Sequence, residues 1–225
     1  MSKSFSKVNI SLKKNTPKIN WNIPPIAQIS SSDLIAPSVT GLGFLDAVSD
    51  ADLLALEDPN DGGSTNWLHK EPTDHKDEFF VETLIDTLSS VYNIDNSRVY
   101  ACGYSLGGMF AYELACQLNS RISAVTSVAG AAFVGAFNNC NLTHPTAVLT
   151  INGTTDNEHP YNDQTGVFFP VPDISEFWAN HNNTDQTPVV TTIPDYDPTD
   201  GSTVERFSWI NGDGCVAVEE LKITN

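Results

Sequence analysis

Gly103-Tyr104-Ser105-Leu106-Gly107 is where this sequence combines residue types and spacing that can do covalent chemistry. A short apolar run, Val99–Cys102, leads into it, and Leu106–Asn119 follows with helical spacing. A serine on so sharp a strand-to-helix turn projects its hydroxyl away from the sheet. Glycines two residues before and after it relieve side-chain crowding there. The N-terminus of the following helix adds positive potential at the reacting centre. The Leu106 amide, next after the serine, is placed to donate to a developing oxyanion. A glycine-rich turn without chemistry is the plain alternative, but it needs neither a strand before it nor a helix after it. The motif predicts Ser105 as a nucleophile toward a carbonyl carbon.

A serine hydroxyl needs a base, and the base needs an orienting acid. Around an elbow of this kind the order along the chain is Ser, then Asp or Glu, then His. The run Ala147–Ile151 continues into Asn152-Gly153-Thr154-Thr155-Asp156, which puts Asp156 on the loop after a later strand. Glu158 and Asp163 are rivals further from the strand end. Only His159 and His181 follow Asp156. His159, in a Glu-His-Pro-Tyr turn, is a weak stand-in for the base and reads better as a pocket or surface residue. His181 lies near a helix C-terminus, where a positive ring suits the dipole. His69, His75 and His144 precede the acid and read as loop or capping residues.

The elements that must position these groups alternate along the chain. Leu53–Leu56 reads as a strand ending at Asp58-Pro59, and residues 74–92 as an amphipathic helix with Phe80, Leu84, Leu88 and Val91 on one face. Asp74 or Asp77 can cap it. Ile122–Val128 and Ala147–Ile151 read as strands and Ile174–Ala179 as a helix, while the runs flanking Asn211-Gly212-Asp213-Gly214 suggest a hairpin. Strand and helix in alternation predict an α/β fold, a mostly parallel sheet flanked by helices. Residues 1–37 show no clear period and are interrupted by Pro24-Pro25, so they read as an irregular segment preceding a domain over 38–225.

Composition bounds the function. The 225 residues carry 28 acidic against 11 basic side chains, a net charge of −17, which disfavours nucleic acid and anionic lipid as partners. Five lysines and no acid fall in residues 1–30, leaving the rest at −22. That opening lacks the apolar core and small-residue cleavage site of a secretory signal. No apolar run is long enough to span a membrane. The four cysteines (Cys102, Cys116, Cys140, Cys215) have no C-x-x-C spacing, which argues against zinc. They allow up to two disulfides in three pairings; Cys102 and Cys116, inside apolar periodic segments, read as buried free thiols. Asp195–Gly201 resembles the start of a calcium loop, but Asp200 and Arg206 occupy the positions that need glycine and glutamate, so it reads as a solvated acidic turn.

The stretch DEFFVETLIDTLSSVYNIDNSRVYACGYSLGGMFAYELACQL, then SVAG, INGTTDNEHPYN and ISEFWANHN, resembles the poly(3-hydroxybutyrate) depolymerase-like and feruloyl-esterase-like serine esterases. GGSTNW before the first long helix extends the likeness, which covers about residues 40–225. The resemblance implies an α/β-hydrolase fold, Ser105 as nucleophile, Asp156 as triad acid, no cofactor, and export to a secreted or periplasmic location. Two segments of the family have no counterpart here. One is an H-G loop that gives the second oxyanion amide, for which Thr40-Gly41-Leu42 is a weak remnant. The other is a G-G-H-x-W-P-like segment bearing the catalytic histidine, which would follow Asn225. The expectation is therefore a partial domain, incomplete at its N- and C-terminal edges. Losing the histidine alone costs on the order of 10⁶ in turnover.

The expected function is a serine ester hydrolase working through an acyl-enzyme, with this truncated chain expected to be inactive because the catalytic histidine is absent. The resemblance implies small or polymeric ester substrates: polyester oligomers, hydroxycinnamate esters or acetylated polysaccharide. Two alternatives stay open. One is a non-catalytic binding protein that keeps the fold. The other is a peptidase or thioesterase, since fold and elbow do not fix the leaving group.

Overall fold

The computed structural model describes residues 8–14 and 76–225. The strand at Leu53–Leu56, the Thr40-Gly41-Leu42 turn, GGSTNW, Asp74, His69, His75 and the boundary at residue 37 lie outside the described residues. In chain order the elements are β1 (Val8–Lys14), α1 (Lys76–Val91), β2 (Ile94–Tyr104), α2 (Leu106–Gln117), β3 (Ala124–Val128), β4 (Ala147–Gly153), α3 (Val171–His181), β5 (Val189–Ile193), β6 (Thr203–Trp209) and β7 (Val218–Thr224). Short 3₁₀ turns at Ala136–Asn139 and Asp213–Cys215 complete them.

The strands form one seven-stranded sheet in the order β1-β2-β3-β4-β7-β6-β5. β2, β3, β4 and β7 are mutually parallel, while β1 and the β5–β6 hairpin add antiparallel edges. This is an α/β fold whose parallel centre fits an α/β-hydrolase. Parallel neighbours need a crossover. Here α2 and α3 lie in the crossovers that follow β2 and β4.

One face of the sheet is buried, and the register explains how. Ala101, Val125, Val148, Val218 and Trp209 are successive cross-strand partners and form an apolar row across five strands. Val81 and Ile85 of α1, Phe110, Leu114 and Ala115 of α2, and Ile174 and Trp178 of α3 close over that row in a single core. Tyr112, Phe137, Phe177 and Trp178 meet edge-on or stacked within it. The next inward row toward the C-terminal ends of the parallel strands is polar: Gly103, Ser127, Thr150 and Glu220, all buried.

Several expectations need correcting. The helix at 74–92 is α1, but its buried stripe is Val81, Leu84, Ile85 and Leu88, and Val91 is exposed. Val91 is the last residue of α1 and is exposed there. Within residues 1–37, the alternating Val8-Asn9-Ile10-Ser11-Leu12 forms β1 on the edge of β2, a period too short to stand out against its lysine-rich flanks. β5 was not foreseen; Val189–Ile193 has no polar alternation, and its pairing with β6 defines it.

Cys116 is not a free thiol. It is bonded to Cys140, 24 residues on, with 4.6 Å between the Cα atoms. Burial in the last turn of α2 was legible in the sequence, but the return of the chain past Ala136–Asn139 to meet it was not. Cys102 and Cys215 are free, the first half-buried and the second exposed. The bridge anchors the segment after β3 to the end of α2, and Asn141 adds a backbone bond to the Cys116 carbonyl (3.1 Å). A closed loop of this length constrains the unfolded chain by about 3 kcal/mol. Cys140→Ser should lower stability toward urea by that order, and thiol titration of the unfolded, unreduced parent should count two free thiols. Four would refute the bridge.

Candidate active site

The Gly103–Gly107 turn folds as its residue types require. Ser105 adopts φ 53° and ψ −122°, a combination uncommon for an L-residue, and is the N-cap of α2 without using its hydroxyl to cap the helix. Its amide donates to the Val128 carbonyl (2.8 Å), and its carbonyl accepts from the Gly108 (2.8 Å) and Met109 (3.1 Å) amides. The backbone is thus fixed on both sides while Oγ has no hydrogen-bond partner among the described residues. Gly103 is obligatory: any Cβ there would overlap the Gly107 carbonyl group. Gly108 and Gly130 pack against each other and against the Ser127 side chain, which lets α2 approach β3 closely. Tyr104 points outward and is exposed. The Leu106 amide is among the first helical N–H groups, which have no intrahelical acceptor, so it is available to an anion beside Ser105.

Asp156 sits three residues beyond β4, at the same C-terminal sheet edge as Ser105, with β3 between their strands. Its Oδ1 accepts the amides of Glu158 (2.8 Å) and His159 (2.9 Å), so the carboxylate orders its own turn and Oδ2 is left over. β7 ends beside it: Thr154 donates to the Ile223 carbonyl (2.8 Å), and the Thr155 hydroxyl to Asn225 Oδ1 (2.7 Å). Asp163, a rival by sequence, is taken up in the loop instead. Its carboxylate accepts from the amides of Thr165, Val167 and Phe168 and from the Thr165 hydroxyl, and these bonds hold its carboxyl down from 3.8 to about 2. Glu158 is exposed and makes none of these contacts through its side chain.

No described imidazole is bonded to Asp156. The His159 ring turns toward β3 and donates from Nδ1 to the Ala129 carbonyl (2.8 Å), so the weak stand-in is held away from the acid. His181 and His144 lie at the opposite sheet edge. There His181 Nε2 donates to the His144 carbonyl (3.0 Å), and the His144 ring and backbone meet Asn119. Burial beside His181 holds the His144 ring below its ordinary value.

Sequence reasoning missed what supports the acid loop. Glu220 is 1 % exposed, and its two carboxylate oxygens accept the hydroxyls of Tyr161 and Ser175 (2.7 Å for Ser175). Burial, reinforced by that carboxylate, pushes the Tyr161 phenol well above its usual range. Beside it, Tyr112 bonds Thr150 (2.7 Å), and burial pushes Tyr112 up to about 12. A signal existed, because period-two alternation from Val218 places Glu220 inward. The loops after β3 and β4 also join each other. Phe133 and Phe168 form a bridge, with Val134 N to the Val167 carbonyl (3.0 Å) and Phe169 N to the Ala132 carbonyl (2.8 Å).

Comparison with known proteins finds similarity to esterases. No protein-family model matches the chain. The bifunctional acetylxylan esterase/xylanase of Neocallimastix patriciarum is 28% identical over 149 residues, 66% of this chain and 20% of that protein. Feruloyl esterase D of Neurospora crassa is 28% identical over 96 residues, 43% of this chain and 31% of its own length. Feruloyl esterase B of Piromyces equi is 30% identical over 120 residues, covering 52% and 22%. Over these stretches the chain is similar to feruloyl and acetylxylan esterases. It spans less than a third of the length of each of these relatives. Among the described residues, no helix is long and apolar enough to cross a membrane.

The Asp163 latch makes a pH prediction. A carboxyl held low in the folded state contributes stability above its unfolded pKa and loses it as pH falls toward the folded value. Between pH 5 and pH 2, the thermal midpoint of the parent should fall more steeply than that of Asp163→Asn. Parallel slopes would contradict the latch.

Proposed function

We propose that the chain is a serine ester hydrolase in which Ser105 attacks an ester carbonyl and the Leu106 amide stabilises the oxyanion. The observation that carries this reading is the strained Ser105 backbone, held from both sides while its hydroxyl stays uncommitted. Strain of this kind, on the order of 1–3 kcal/mol, persists where function needs it. Attack forms the Oγ–C bond, and collapse of the tetrahedral adduct expels the alcohol and leaves an acyl-serine. Water then resolves that intermediate.

Asp156 is the orienting acid in this proposal, with Oδ2 available to an imidazole N–H. The base is a histidine from outside the described residues. The end of β7 lies beside the Asp156 turn, at Thr154 and Thr155. Polyester oligomers, hydroxycinnamate esters and acetylated polysaccharide are the proposed substrate classes. Export to an oxidising compartment is proposed as well, supported by the Cys116–Cys140 bridge. The absence of a described imidazole on Asp156 favours one second reading, a binding protein that retains the fold.

A fluorophosphonate probe separates the two. Labelling of the chain that is lost in Ser105→Ala supports the nucleophile, and no labelling favours the binding protein. Added imidazole should raise nitrophenyl ester hydrolysis by the parent above that by Ser105→Ala, because a free base can take the Ser105 proton. Equal rates in the two proteins at every imidazole concentration would count against the esterase.

A further inference from the structure

Asn-x-Ser/Thr, with any residue but proline between, is the acceptor pattern for N-linked oligosaccharide in chains that pass through a secretory pathway. This sequence carries it at Asn9-Ile10-Ser11, Asn141-Leu142-Thr143, Asn152-Gly153-Thr154 and Asn182-Asn183-Thr184. So short a pattern recurs by chance, and the fold decides which copies can stay modified in the folded protein. A glycan is bulky and hydrated, so it can remain only on an asparagine whose carboxamide reaches solvent. Two of these asparagines are closed off. Asn152 is 1 % exposed, and its Nδ2 donates to the Gly130 carbonyl (2.9 Å). Asn182 is fully buried; its Oδ1 accepts the Thr146 amide (2.8 Å), and its Nδ2 donates to the Thr146 carbonyl (2.7 Å). A sugar on either nitrogen would displace those bonds and open the packing at one end of β4.

Asn141 differs. It is exposed in the loop between the 3₁₀ turn at Ala136–Asn139 and β4, and its carboxamide bonds no other described residue. Its backbone is nonetheless fixed. The amide donates to the Cys116 carbonyl (3.1 Å), and Cys140, just before it, is bridged to Cys116. Beyond it, Asn119 Oδ1 accepts the amides of Thr143 (2.7 Å) and His144 (2.9 Å). The bridge points to the same compartment as the acceptor pattern, because disulfides persist where the secretory pathway is oxidising. Placement matters as well. Asn141 is tied to the last turn of α2, while Ser105 caps the first. Twelve residues of α-helix span about 18 Å, so a glycan here stands away from the nucleophile. Asn152, by contrast, lies at the end of β4 beside the Asp156 turn.

We propose that Asn141 is an N-glycosylation site of this protein and that Asn152 and Asn182 are not. This rests on the export reading above and is independent of the esterase chemistry. The donor is an oligosaccharide carried on a polyisoprenyl diphosphate. Asn141 Nδ2 attacks the anomeric carbon, and a C–N bond forms as the bond from that carbon to the diphosphate oxygen breaks. The lipid diphosphate leaves with the electron pair, and Nδ2 gives up one proton. Thr143 supplies the hydroxyl that the acceptor pattern requires. In the folded chain that hydroxyl donates to Asn119 Oδ1 (3.3 Å), so transfer precedes docking of the loop on Asn119. The finished fold then keeps the sugar at the surface, beside the Cys116–Cys140 bridge.

The test expresses the full chain behind a cleavable secretory leader in yeast. The species with an intact Cys116–Cys140 bridge is collected from medium and cells alike, so poor release does not hide the outcome. Its peptides are mapped by mass spectrometry before and after peptide-N-glycosidase F. The Asn141 peptide should carry an oligosaccharide mass and return as aspartate after the enzyme, with Asn152 and Asn182 bare. The modification should vanish in Asn141→Gln and in Thr143→Ala and persist in Thr143→Ser, which keeps the hydroxyl. A bare Asn141 in the bridged species overturns the proposal. So does a glycan on Asn152 or Asn182 in that species, or an Asn141 modification that survives Thr143→Ala. Fractionation of the natural host, with an antibody to the chain, tests export separately. A glycan on the leader-driven chain beside an unexported natural one sinks the export reading alone, and an exported natural chain with bare Asn141 sinks the site alone.

Discussion

Ser105 holds a backbone conformation that an L-residue does not choose, and much of the structure around it exists to keep it there. The Val128 carbonyl fixes its amide, and two α2 amides fix its carbonyl. The close approach this demands leaves no room for a Cβ at Gly103, and it sets Gly108 and Gly130 against Ser127. Helix α2 is therefore tied to β3 by contact between backbones as well as by side-chain burial. That tie fixes the axis of the helix, and with it the aromatic core formed by Phe110, Tyr112 and Phe137.

The sheet changes character toward this turn. Its covered face carries an apolar row from Ala101 to Trp209, then a buried polar row from Gly103 to Glu220. Burying hydroxyls and a carboxylate is costly unless each finds a partner. For Thr150 and Glu220 the partners come from the covering elements. Tyr112 meets Thr150, and Tyr161 and Ser175 meet Glu220. The Tyr161 contact pins the loop that carries Asp156 and His159 down onto β7. Polar pairing under the loop, the Asp163 latch within it and the Phe133–Phe168 bridge beside it make a rigid platform from irregular backbone. Rigid placement is what a reactive or binding site requires of its loops.

Much of this was legible in the residues because local chemistry dictated it. The elbow follows from glycines at fixed offsets from a serine between a strand and a helix, and the structure gives Ser105 the backbone such a turn implies. Asp156 falls at a strand end because Ala147–Ile151 is apolar and β-branched and the next residues are turn formers. Helices α1, α2 and α3 lie where periodicity put them. The misreadings share a cause. Cys116 looked like a core thiol because its partner returns from 24 residues away, and β1 and β5 gained their identity from pairing. Val91 keeps the helical spacing but is exposed at the end of α1, because exposure depends on what the rest of the chain covers.

Sequence alone determined the kinds of group present and the local turns that present them: a serine on an elbow, an acid after a later strand, an acidic α/β chain. These are set by steric and hydrogen-bonding preferences over a few residues. Tertiary structure alone decided which groups face one another. It turned His159 toward the Ala129 carbonyl and away from the acid, spent Asp163 on its own loop, and sent His181 to the far edge. It also set two phenylalanines from separate loops side by side. Contacts between residues distant in the chain depend on sheet order and register, which no local preference encodes.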